Sequence, residues 1–499
     1  KDGDAWDIYK KQCTLGINQC EQPGTASRVA VYAPRNISEL CAFVAAIRPG
    51  FKSMYKIFES RKHFEYGIKA FGELIQTEEM KNSFVLYQEM AMESLNYAGI
   101  PMSECYDVIK NIAKKRTEQV LAYKTRFLDG FAKKIIEDEH IEAAKADDLA
   151  GQVWQILEDS SRYSFNASHS YCVSLDGLYC AYAKAKKPLI FYESFLQLLD
   201  EKSDKDRMAA VKQEAEDYFG ITFPPFKFGQ DNTRITFNEE TNSISNTMKS
   251  IKSFNQTLCE SLYECSKLQI WSSFMEIMNW LYRNKRITST KIIPLIKIGY
   301  FDKFGNIPTL LREVSAFELL KRGEAKQISK DKIVGTDIED VIRARCSDKK
   351  KDGTSGKNYI IYKGNDPYEQ SRVMYDLLAK IEENIVKLNL PDCDYKQKMA
   401  YQDEILGYID LTTHSIEDMR KLIVTGIVPL KGKKTKEIWA YSVSTRSLAT
   451  GKSSRLTIDP EIFNETKLHK LDVIYATNLY KNKKGYWYLT KYEIIEGVA

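Results

Sequence analysis

Long hydrophobic runs are missing from this sequence of 499 residues. The longest apolar stretches, such as residues 40–47, fall well short of the ~20 residues that a membrane span requires. The 10 cysteines include no C-x-x-C pair and lie in otherwise apolar segments, so we expect reduced thiols rather than zinc ligands or disulfides. Together these absences predict a cytoplasmic protein that makes no membrane contact.

Motifs for several common chemistries are missing as well. The sequence holds no G-x-x-x-x-G-K-[ST] loop, no cluster of His and Cys with metal-ligand spacing, and no Ser/His/Asp pattern. A strong excess of one charge is also missing, because the net charge is only +5. Nucleic-acid binding therefore has to be argued from local clusters of basic residues.

The length suits three or four domains at ~100–200 residues each. Hydrophobic residues make up 43% and charged residues 28% of the chain, which is ordinary for a globular protein. Helical patterns dominate residues 1–415, and strand-like runs dominate residues 416–499. We therefore predict a multidomain α+β protein that is mostly helical and ends in a small all-β domain.

The most informative stretch is residues 161–188, in which Asn166 or Ser168 can cap a helix start and Pro188 prevents its continuation. One helical stripe carries large apolar side chains and predicts a buried face; it holds Tyr171, Leu175, Leu178, Tyr179 and Tyr182. A second stripe is small and polar with a basic end, which a flat or charged partner could approach closely; it holds Ser170, Ser174, Gly177, Ala181 and Lys184. The alternative is a purely structural helix packed by its tyrosines, with His169 as a structural histidine.

Two basic groups occur near predicted helix ends. A helix over residues 39–47 ends at Arg48-Pro49-Gly50, where Pro and Gly favour a turn, and Arg61-Lys62-His63 follows. The second group lies on one face of a predicted long helix and consists of Lys110, Lys114, Lys115 and Arg116. Such cations can hold phosphates; the alternative for both groups is a solvated basic surface.

Five strand-like runs, 422–428, 438–444, 454–458, 473–479 and 486–492, are typical of a closed barrel of the OB type. Aromatic residues alternate along them beside lysine-rich turns, an arrangement that can stack the bases and hold the phosphates of a single strand. The residues concerned are Trp439, Tyr441, Tyr486, Trp487, Lys433, Lys434, Lys483 and Lys484. Because strand side chains alternate, half of the aromatics must point into the core.

Several of these segments, taken in order, resemble the C-family replicative DNA polymerases of bacteria, the family of the DNA polymerase III alpha subunit. Residues 164–170, with Lys184 and Pro188, resemble the family segment G-F-N-K-S-H-S/A followed by L-K-x-x-Y-P. Residues 40–50 and 60–63 resemble its L-x-R-P-G-P and I-x-R-K-H motifs. Residues 85–90 resemble its Y-Q-E-Q motif, and residues 402–410 resemble E-x-E-x-L-G-x-Y-L.

The resemblance implies a domain order that continues the α+β prediction. Residues 1–200 would form a fingers domain, and residues 201–310 a tandem helix-hairpin-helix-like domain. Residues 311–415 would form a helical connector with a flexible loop near 348–357. Residues 416–499 would form the OB domain.

The resemblance also implies the ligands. Contacts to the incoming nucleotide would come from Arg48, Lys110, Lys114, Lys115, Arg116, Asn166, Ser168 and His169. Contacts to DNA would come from Arg61, Lys62, Lys184 and the barrel aromatics and lysines given above. The implied partners are a DNA primer-template, dNTP and a palm-bearing chain or segment, with a sliding clamp as a further candidate.

In this family, catalysis uses Mg²⁺ held by palm aspartates, and the sequence offers no matching motif for them. We therefore expect part of a DNA-directed DNA polymerase that is inactive as this chain alone, with the catalytic residues and Mg²⁺ ligands outside it. Lys110 replaces a family Arg, and Ser253 and Asn255 replace hairpin glycines, so DNA contact at that hairpin is expected to be weak or lost. The alternative is a non-catalytic single-stranded nucleic-acid-binding or scaffold protein derived from the polymerase fold.

Overall fold

The computed structural model describes residues 3–48, 51–52, 54–62, 64–76, 84–114, 116–161, 165–350, 352–407, 418–432, 436–450, 453–482 and 486–495. The chain divides into two compact units, Lys1–Phe195 and Leu196–Ala499. A search of the helices in the described ranges found none with the length and apolar character that a membrane crossing needs.

The first unit is helical. Its helices are α1 (Gly3–Lys10), α2 (Pro23–Tyr32), α3 (Ile37–Ala46), α4 (Tyr55–Glu59), α5 (Lys69–Ile75), α6 (Gln88–Tyr97), α7 (Met102–Ala113), α8 (Thr117–Glu139), α9 (Ala143–Ser161) and α10 (Ala167–Lys186), and α11 (Pro188–Glu201) begins in this unit. Buried rings of Phe71, Phe127, Phe131 and Trp154 contact one another. Because aromatic side chains bury large areas, these rings join α5, α8 and α9 into one packed group.

Helix α10 buries the stripe that the sequence predicted to be open. Its buried residues are Ser170, Ser174, Gly177, Ala181 and Lys184, and the helix packs against α1 and α3. The prediction of a buried tyrosine face was wrong, since Tyr171, Tyr179 and Tyr182 are exposed. Small side chains allow neighbouring helices to approach more closely than tyrosines do; a methyl group added at Gly177 would lie 3.4 Å from Ile17 Cγ2.

The side chain of Lys184 is completely buried near the C-terminal end of α10. Its Nζ donates hydrogen bonds to the carbonyl oxygens of Cys13, at 3.0 Å, and Leu15, at 2.7 Å. The ring centroids of Phe191 and Tyr192 lie 5.0 and 5.3 Å from the same nitrogen. Lys184 therefore ties the loop after α1 to α10, and in this structure the ammonium group is closed off from the DNA contact that the sequence predicted.

The second unit contains a helical part and a barrel. The helices are α12 (Lys205–Phe219), α13 (Gln256–Leu268), α14 (Phe274–Lys285), α15 (Ser289–Lys297), α16 (Ile307–Leu319), α17 (Lys330–Ile333), α18 (Glu339–Arg345), α19 (Pro367–Lys387) and α20 (Tyr395–Leu406). Strands β1 (Thr236–Asn238) and β2 (Ser243–Ser245) pair antiparallel. One hydrophobic core extends from Phe226 to Leu406, across the predicted domain boundary at residue 310.

A β-hairpin occupies the position of the predicted flexible loop. Strand β5 (Ser355–Ile360) pairs antiparallel with β3 (Gln327–Ser329) and with β4 (Ser347–Lys349). Gly353 has a φ of +82°, and the carboxylate of Asp352 accepts the N–H of Thr354 at 2.9 Å. The polar run that suggested a linker is therefore the tight turn between two strands, since Asp and Gly are also typical turn residues.

The segment before α13 keeps a hairpin conformation without its family glycine. Ser253 has a φ of +69°, a left-handed conformation that costs roughly 1–2 kcal/mol for a residue with a side chain. Lys291 Nζ donates to the backbone oxygen of Ser253 at 2.6 Å and to its Oγ at 3.0 Å. Asn255 caps α13 by accepting the N–H of Leu258 at 2.9 Å.

The end of the chain forms a closed barrel of five strands, β6 (Lys421–Lys431), β7 (Ile438–Ser447), β8 (Ser453–Ile458), β9 (Val473–Lys481) and β10 (Trp487–Ile494). Strand β6 pairs with β7 and β9, and β7 pairs with β8. Strand β10 closes the barrel by pairing antiparallel with β9 and parallel with β8. Helix α21 (Pro460–Glu465) connects β8 to β9. The predicted α+β class and OB-type barrel are confirmed.

A buried carboxyl group lies in the core of the second unit. Glu313 of α16 is 1% exposed, and neither of its carboxyl oxygens has a hydrogen-bond partner among the described residues. Burial, reinforced by the nearby Glu382, raises the pKa of Glu313 to about 9. Glu382 remains tied to the start of α14, where its carboxylate accepts the N–H of Phe274 at 2.8 Å. Glu313 is therefore protonated in the folded protein at neutral pH.

We predict that Lys184→Met destabilises the protein by about 3 kcal/mol, because the carbonyls of Cys13 and Leu15 lose a buried charged donor. Urea unfolding followed by circular dichroism measures this change. Lys186→Met is the matched control on the same helix, because Lys186 forms a solvent-exposed ion pair with Asp4. Equal effects of the two substitutions would contradict the structural role of Lys184.

We also predict a pH effect on stability. Because the folded pKa of Glu313 exceeds its ordinary value of 4.5, the folded state holds the proton more tightly, and stability falls as pH rises from about 4.5 toward about 9, by at most ~1.4 kcal/mol per pH unit. Glu313→Gln should gain stability relative to the native protein as pH increases from 5 to 8 in urea titrations. Glu318→Gln on the same helix is the control, and parallel pH profiles for native protein and Glu313→Gln would refute the assignment.

Candidate functional site

Arg48, Phe165 and His169 come together although they are far apart in the sequence. Arg48 follows the last turn of α3, and its guanidinium carbon lies 4.0 Å from the centroid of the Phe165 ring. The centroid of the His169 ring lies 4.9 Å from that of Phe165. Burial lowers the pKa of Arg48 from its ordinary value, but an arginine remains charged at any physiological pH. The sequence predicted Arg48 and His169 in one site, and the structure brings them together around Phe165.

The first turn of α10 holds this group in place. Asn166 caps the helix as predicted, its Oδ1 accepting the N–H of His169 at 3.1 Å, and the Ser168 hydroxyl also bonds to that oxygen. The carboxylate of Glu89 accepts the N–H of Ala167 at 3.0 Å and the side-chain amide of Asn166 at 2.7 Å. A negative charge at a helix N-terminus is favourable, because it faces the positive end of the helix dipole.

Helix α6 contributes a second carboxyl group one turn after Glu89. Burial and the charge of Glu89 raise the pKa of Glu93 from its ordinary value. The backbone N–H of Gln88, at the start of α6, donates to the Phe165 oxygen at 2.9 Å. The start of α6 and the start of α10 are therefore fixed to each other by backbone and side-chain hydrogen bonds.

The basic residues near position 110 lie at a break between two helices, not along one long helix as predicted. Helix α7 ends at Ala113 and α8 begins at Thr117. An open groove of about 630 Å³ lies between these two helices; its lining includes Asp107, Lys110, Asn111, Arg116, Gln119, Tyr123 and Arg126. Arg116 Nη1 donates to Asn111 Oδ1 at 3.3 Å, and Lys110 Nζ is 5.9 Å from the Tyr106 ring centroid. Lys114 is exposed, and Lys115 lies outside the described residues.

The connection between α6 and α7 relates the groove to the Arg48 group. Only residues 98–101 join these two helices, which pack against each other. The short connection makes α6, which carries Glu89, and α7, which carries Lys110, direct neighbours.

Arg61 and Lys62, which follow α4 and were predicted to contact DNA, differ in their surroundings. Arg61 Nη2 donates to Glu39 Oε2 at 2.8 Å and to the Ala33 oxygen at 3.0 Å, and its guanidinium carbon lies 4.3 Å from the Tyr32 ring centroid. A DNA contact by Arg61 would require it to give up this ion pair. Lys62 is exposed, so its predicted contact with DNA requires no such rearrangement.

The barrel exposes aromatic side chains at and beside the starts of β7 and β10. Trp439, Tyr486 and Trp487 are 54%, 63% and 43% exposed. Tyr441 instead stacks on Phe463 of α21, with ring centroids 3.8 Å apart, so one of its faces is already covered. The predicted residues Lys433, Lys434, Lys483 and Lys484 lie outside the described residues.

A stacked tyrosine pair on the same barrel was missed by the sequence reasoning. The rings of Tyr480 and Tyr488 lie 5.3 Å apart and are nearly parallel, and Tyr480 is 48% exposed. Lys481 Nζ lies 5.8 Å from the Trp487 ring centroid. The facing positions of Tyr480 and Tyr488 on β9 and β10 follow from the strand register, which the sequence pattern alone does not fix.

Comparison with known proteins identifies the relationship. Residues 1–135 match the family model described as the bacterial DNA polymerase III alpha subunit finger domain. The DNA polymerase III subunit alpha of Bacillus subtilis strain 168 is 24% identical over 318 residues, which cover 63% of this chain and 27% of that protein. The chain is related to the bacterial DNA polymerase III alpha subunit. The resemblance stated from the sequence is thereby confirmed.

Two further polymerase III relatives show the same extent of similarity. The alpha subunit of Campylobacter jejuni is 28% identical over 303 residues, which cover 58% of this chain and 24% of that protein. The alpha subunit of Thermus aquaticus is 22% identical over 339 residues, which cover 65% of this chain and 26% of that protein. The aligned part of the chain therefore spans about a quarter of the length of these polymerase subunits.

The polymerase III relationship raises the question of a metal. In the described ranges, no group of three or more His, Cys, Asp or Glu side chains is arranged to hold a metal ion. Glu89 and Glu93 are only a pair, and Glu89 is bonded to the start of α10. Glu89 and Glu93 alone therefore do not make up a three-ligand metal site.

Proposed function

We propose that this chain supplies the nucleotide- and DNA-binding part of a DNA-directed DNA polymerase used in replication. The incoming dNTP contacts Arg48, His169 and the first turn of α10. The primer-template lies along the basic residues at the α7–α8 break, and the barrel holds single-stranded template. Mg²⁺ and its aspartate ligands belong to a palm carried by another segment or chain.

The observation that supports this proposal most directly is the Arg48–Phe165–His169 group. A guanidinium stacked on a ring keeps its N–H edges directed sideways, where they can bind phosphate oxygens in pairs. His169 is exposed beside it and offers a further donor. The segment before α10 and the end of α3 both lie close to stretches that resemble polymerase motifs, so phosphate positioning is the role that fits this group.

Charge and aromatic surface supply the rest of the argument. Lys110, Arg116 and Arg126 line the groove between α7 and α8 together with Asp107. Arg126 is paired with Glu104 at 2.8 Å, so a smaller excess of positive charge remains. Such a cation excess favours phosphate backbones through release of counterions. The exposed rings of Trp439 and Trp487 add stacking surfaces that tolerate any base.

A second candidate is a non-catalytic single-stranded nucleic-acid-binding or scaffold protein. Lys110 favours it, because a lysine at this position lacks the bidentate fork of the family arginine. Ser253 and Asn255 favour it too, because side chains at the hairpin keep backbone N–H groups further from a phosphate than glycines would.

Primer extension separates the two candidates. The purified chain is expected to incorporate no nucleotide alone and to regain extension when mixed with a polypeptide that carries paired palm aspartates. In that mixture, Arg48→Ala should reduce incorporation at least tenfold, whereas Arg35→Ala, an exposed arginine before α3, should leave it unchanged. Continued inactivity of the mixture, with single-strand binding intact, would reject the polymerase role in favour of the second candidate.

The basic groove yields a separate prediction. Replacing Lys110 and Lys114 by Ala should weaken primer-template binding and reduce the slope of log affinity against log salt by about 1 to 2, because up to two phosphate contacts are lost. Fluorescence anisotropy at several salt concentrations measures both quantities. The matched control replaces Lys133 and Lys145, which are exposed on α8 and α9. An unchanged slope would remove the groove from the DNA path.

A further inference from the structure

A cavity of about 620 Å³ with several charged residues in its lining lies in the second unit, and the exposed barrel aromatics Trp439, Tyr486 and Trp487 are not among its lining residues. Its walls come from α12, from the end of α20 and from the outer face of β7 and β8. Helix α20 is anchored to the barrel, because Met399 packs with Ile423, Leu448 and Val473 in a buried cluster. The cavity is therefore a fixed feature of the unit.

The barrel side of this cavity is the face that OB barrels commonly use for ligands. The second and third strands of such barrels, here β7 and β8, carry the face that binds oligonucleotides. Ser444 pairs with Arg455 across these strands, and Arg446 pairs with Ser453. All four side chains line the cavity, while Val443 and Leu456 point into the barrel core.

The cavity carries an excess of positive charge. Four cations line it, namely Lys212, Arg446, Arg455 and Lys470, against the two carboxylates Glu216 and Asp403. Lys470 and Asp403 form an ion pair at 2.6 Å and largely cancel each other. Lys212, Arg446 and Arg455 then remain against the single carboxylate of Glu216, so the charge of the lining favours the binding of an anion.

Two donors in the cavity wall have no acceptor within the described part of the protein. The side-chain nitrogen Nε2 of Gln213 is buried and makes no hydrogen bond. The Arg455 side chain forms no hydrogen bond, ion pair or ring contact with the described residues. A buried donor without an acceptor costs roughly 1–3 kcal/mol, and this cost applies to Gln213 Nε2. The Arg455 side chain is exposed, so its guanidinium is open to a ligand with several acceptor oxygens.

We propose that this cavity binds a phosphate group, with Arg455 and Gln213 as donors, and that the phosphate belongs to a single strand held by the barrel. A phosphodiester offers acceptor oxygens and a negative charge, which match an arginine fork and an amide donor. The choice of a single strand rests on the nucleic-acid role proposed above. The phosphate site itself rests on the cavity, its charge and its unpaired donors.

The test uses the full chain with Arg455→Ala and Gln213→Leu, and with Lys491→Ala as a control for a barrel cation outside the cavity. Binding of a fluorescent oligothymidylate is measured by anisotropy from 50 to 300 mM salt. Arg455→Ala should raise Kd about tenfold and reduce the salt slope by about 0.7. Gln213→Leu should raise Kd with no change in slope, and Lys491→Ala should change neither.

A second experiment distinguishes binding of a phosphate in an oligonucleotide from binding of free inorganic phosphate. Inorganic phosphate at 10–50 mM is added in a thermal-unfolding experiment at constant ionic strength. Phosphate that binds in the cavity should raise the melting temperature, and Arg455→Ala should abolish that rise. If the same variant leaves oligonucleotide binding unchanged, the cavity is a site for free phosphate, and its role as an anion site is still supported. If Arg455→Ala matches the native protein in both arms, the proposal is overturned.

Two further variants distinguish failure of the cavity proposal from failure of the proposed nucleic-acid role. Trp439→Ala and Trp487→Ala test stacking on the exposed barrel surface, away from the cavity. Loss of oligonucleotide binding in the tryptophan variants alone keeps the nucleic-acid role and rejects the cavity. Failure of the native chain to bind any oligonucleotide rejects the barrel's role in strand binding, and the phosphate arm then decides the cavity by itself.

Discussion

The packing of α10 on α1 and α3 is the constraint on which the candidate site depends. Near its start, the Ser170 hydroxyl donates to the Cys41 oxygen of α3 at 2.8 Å, and near its end Lys184 holds the loop after α1. Between these two points the buried residues of α10 are the small Ser174, Gly177 and Ala181. Because α3 leads directly to Arg48 and α10 begins beside Phe165, this close contact sets the spacing of the group formed by Arg48, Phe165 and His169.

The same packing places one negative and one positive side chain near the start of α10. The helix N-terminus already holds a carboxylate, that of Glu89, while Arg48 supplies the positive charge nearby. The N–H groups of Ala167 and His169 already have side-chain acceptors. In the proposed role, a phosphate would therefore be recognised more through side chains such as Arg48 than through the helix N-terminus.

The parts of the fold that the sequence predicted well are those with local signals. The five barrel strands were found within a few residues of their observed bounds, because alternation and lysine or glycine turns are encoded locally. The faces of α10 were reversed, because helical periodicity defines two stripes without saying which one is buried. The hairpin at residues 347–360 was missed for a related reason: Asp, Gly and Lys are common both in tight turns and in linkers.

For the candidate site, too, the sequence predicted some residues and missed others. Arg48 and His169 were recognised by their resemblance to a family, whereas Phe165, which joins them, gave no signal as a site residue. Its role depends on a tertiary contact between distant segments. Lys184 was assigned to DNA from the resemblance and from its place at the basic end of a polar stripe, and only the structure reveals that its ammonium group is enclosed. A charged residue in a helical pattern is normally predicted to lie on the surface. A buried one such as Lys184 can be recognised only when the residues around it in the structure are known.

The hairpin at Ser253 has a consequence for the order in which the second unit assembles. A glycine would let that turn form by itself, since its backbone adopts positive φ at no steric cost. With serine, the conformation is secured by Lys291, which is supplied by α15 from outside the hairpin. The turn therefore depends for its geometry on the docking of α15, whose Lys291 lies 38 residues later in the chain. We expect the hairpin to reach its native conformation only once that helix is in place.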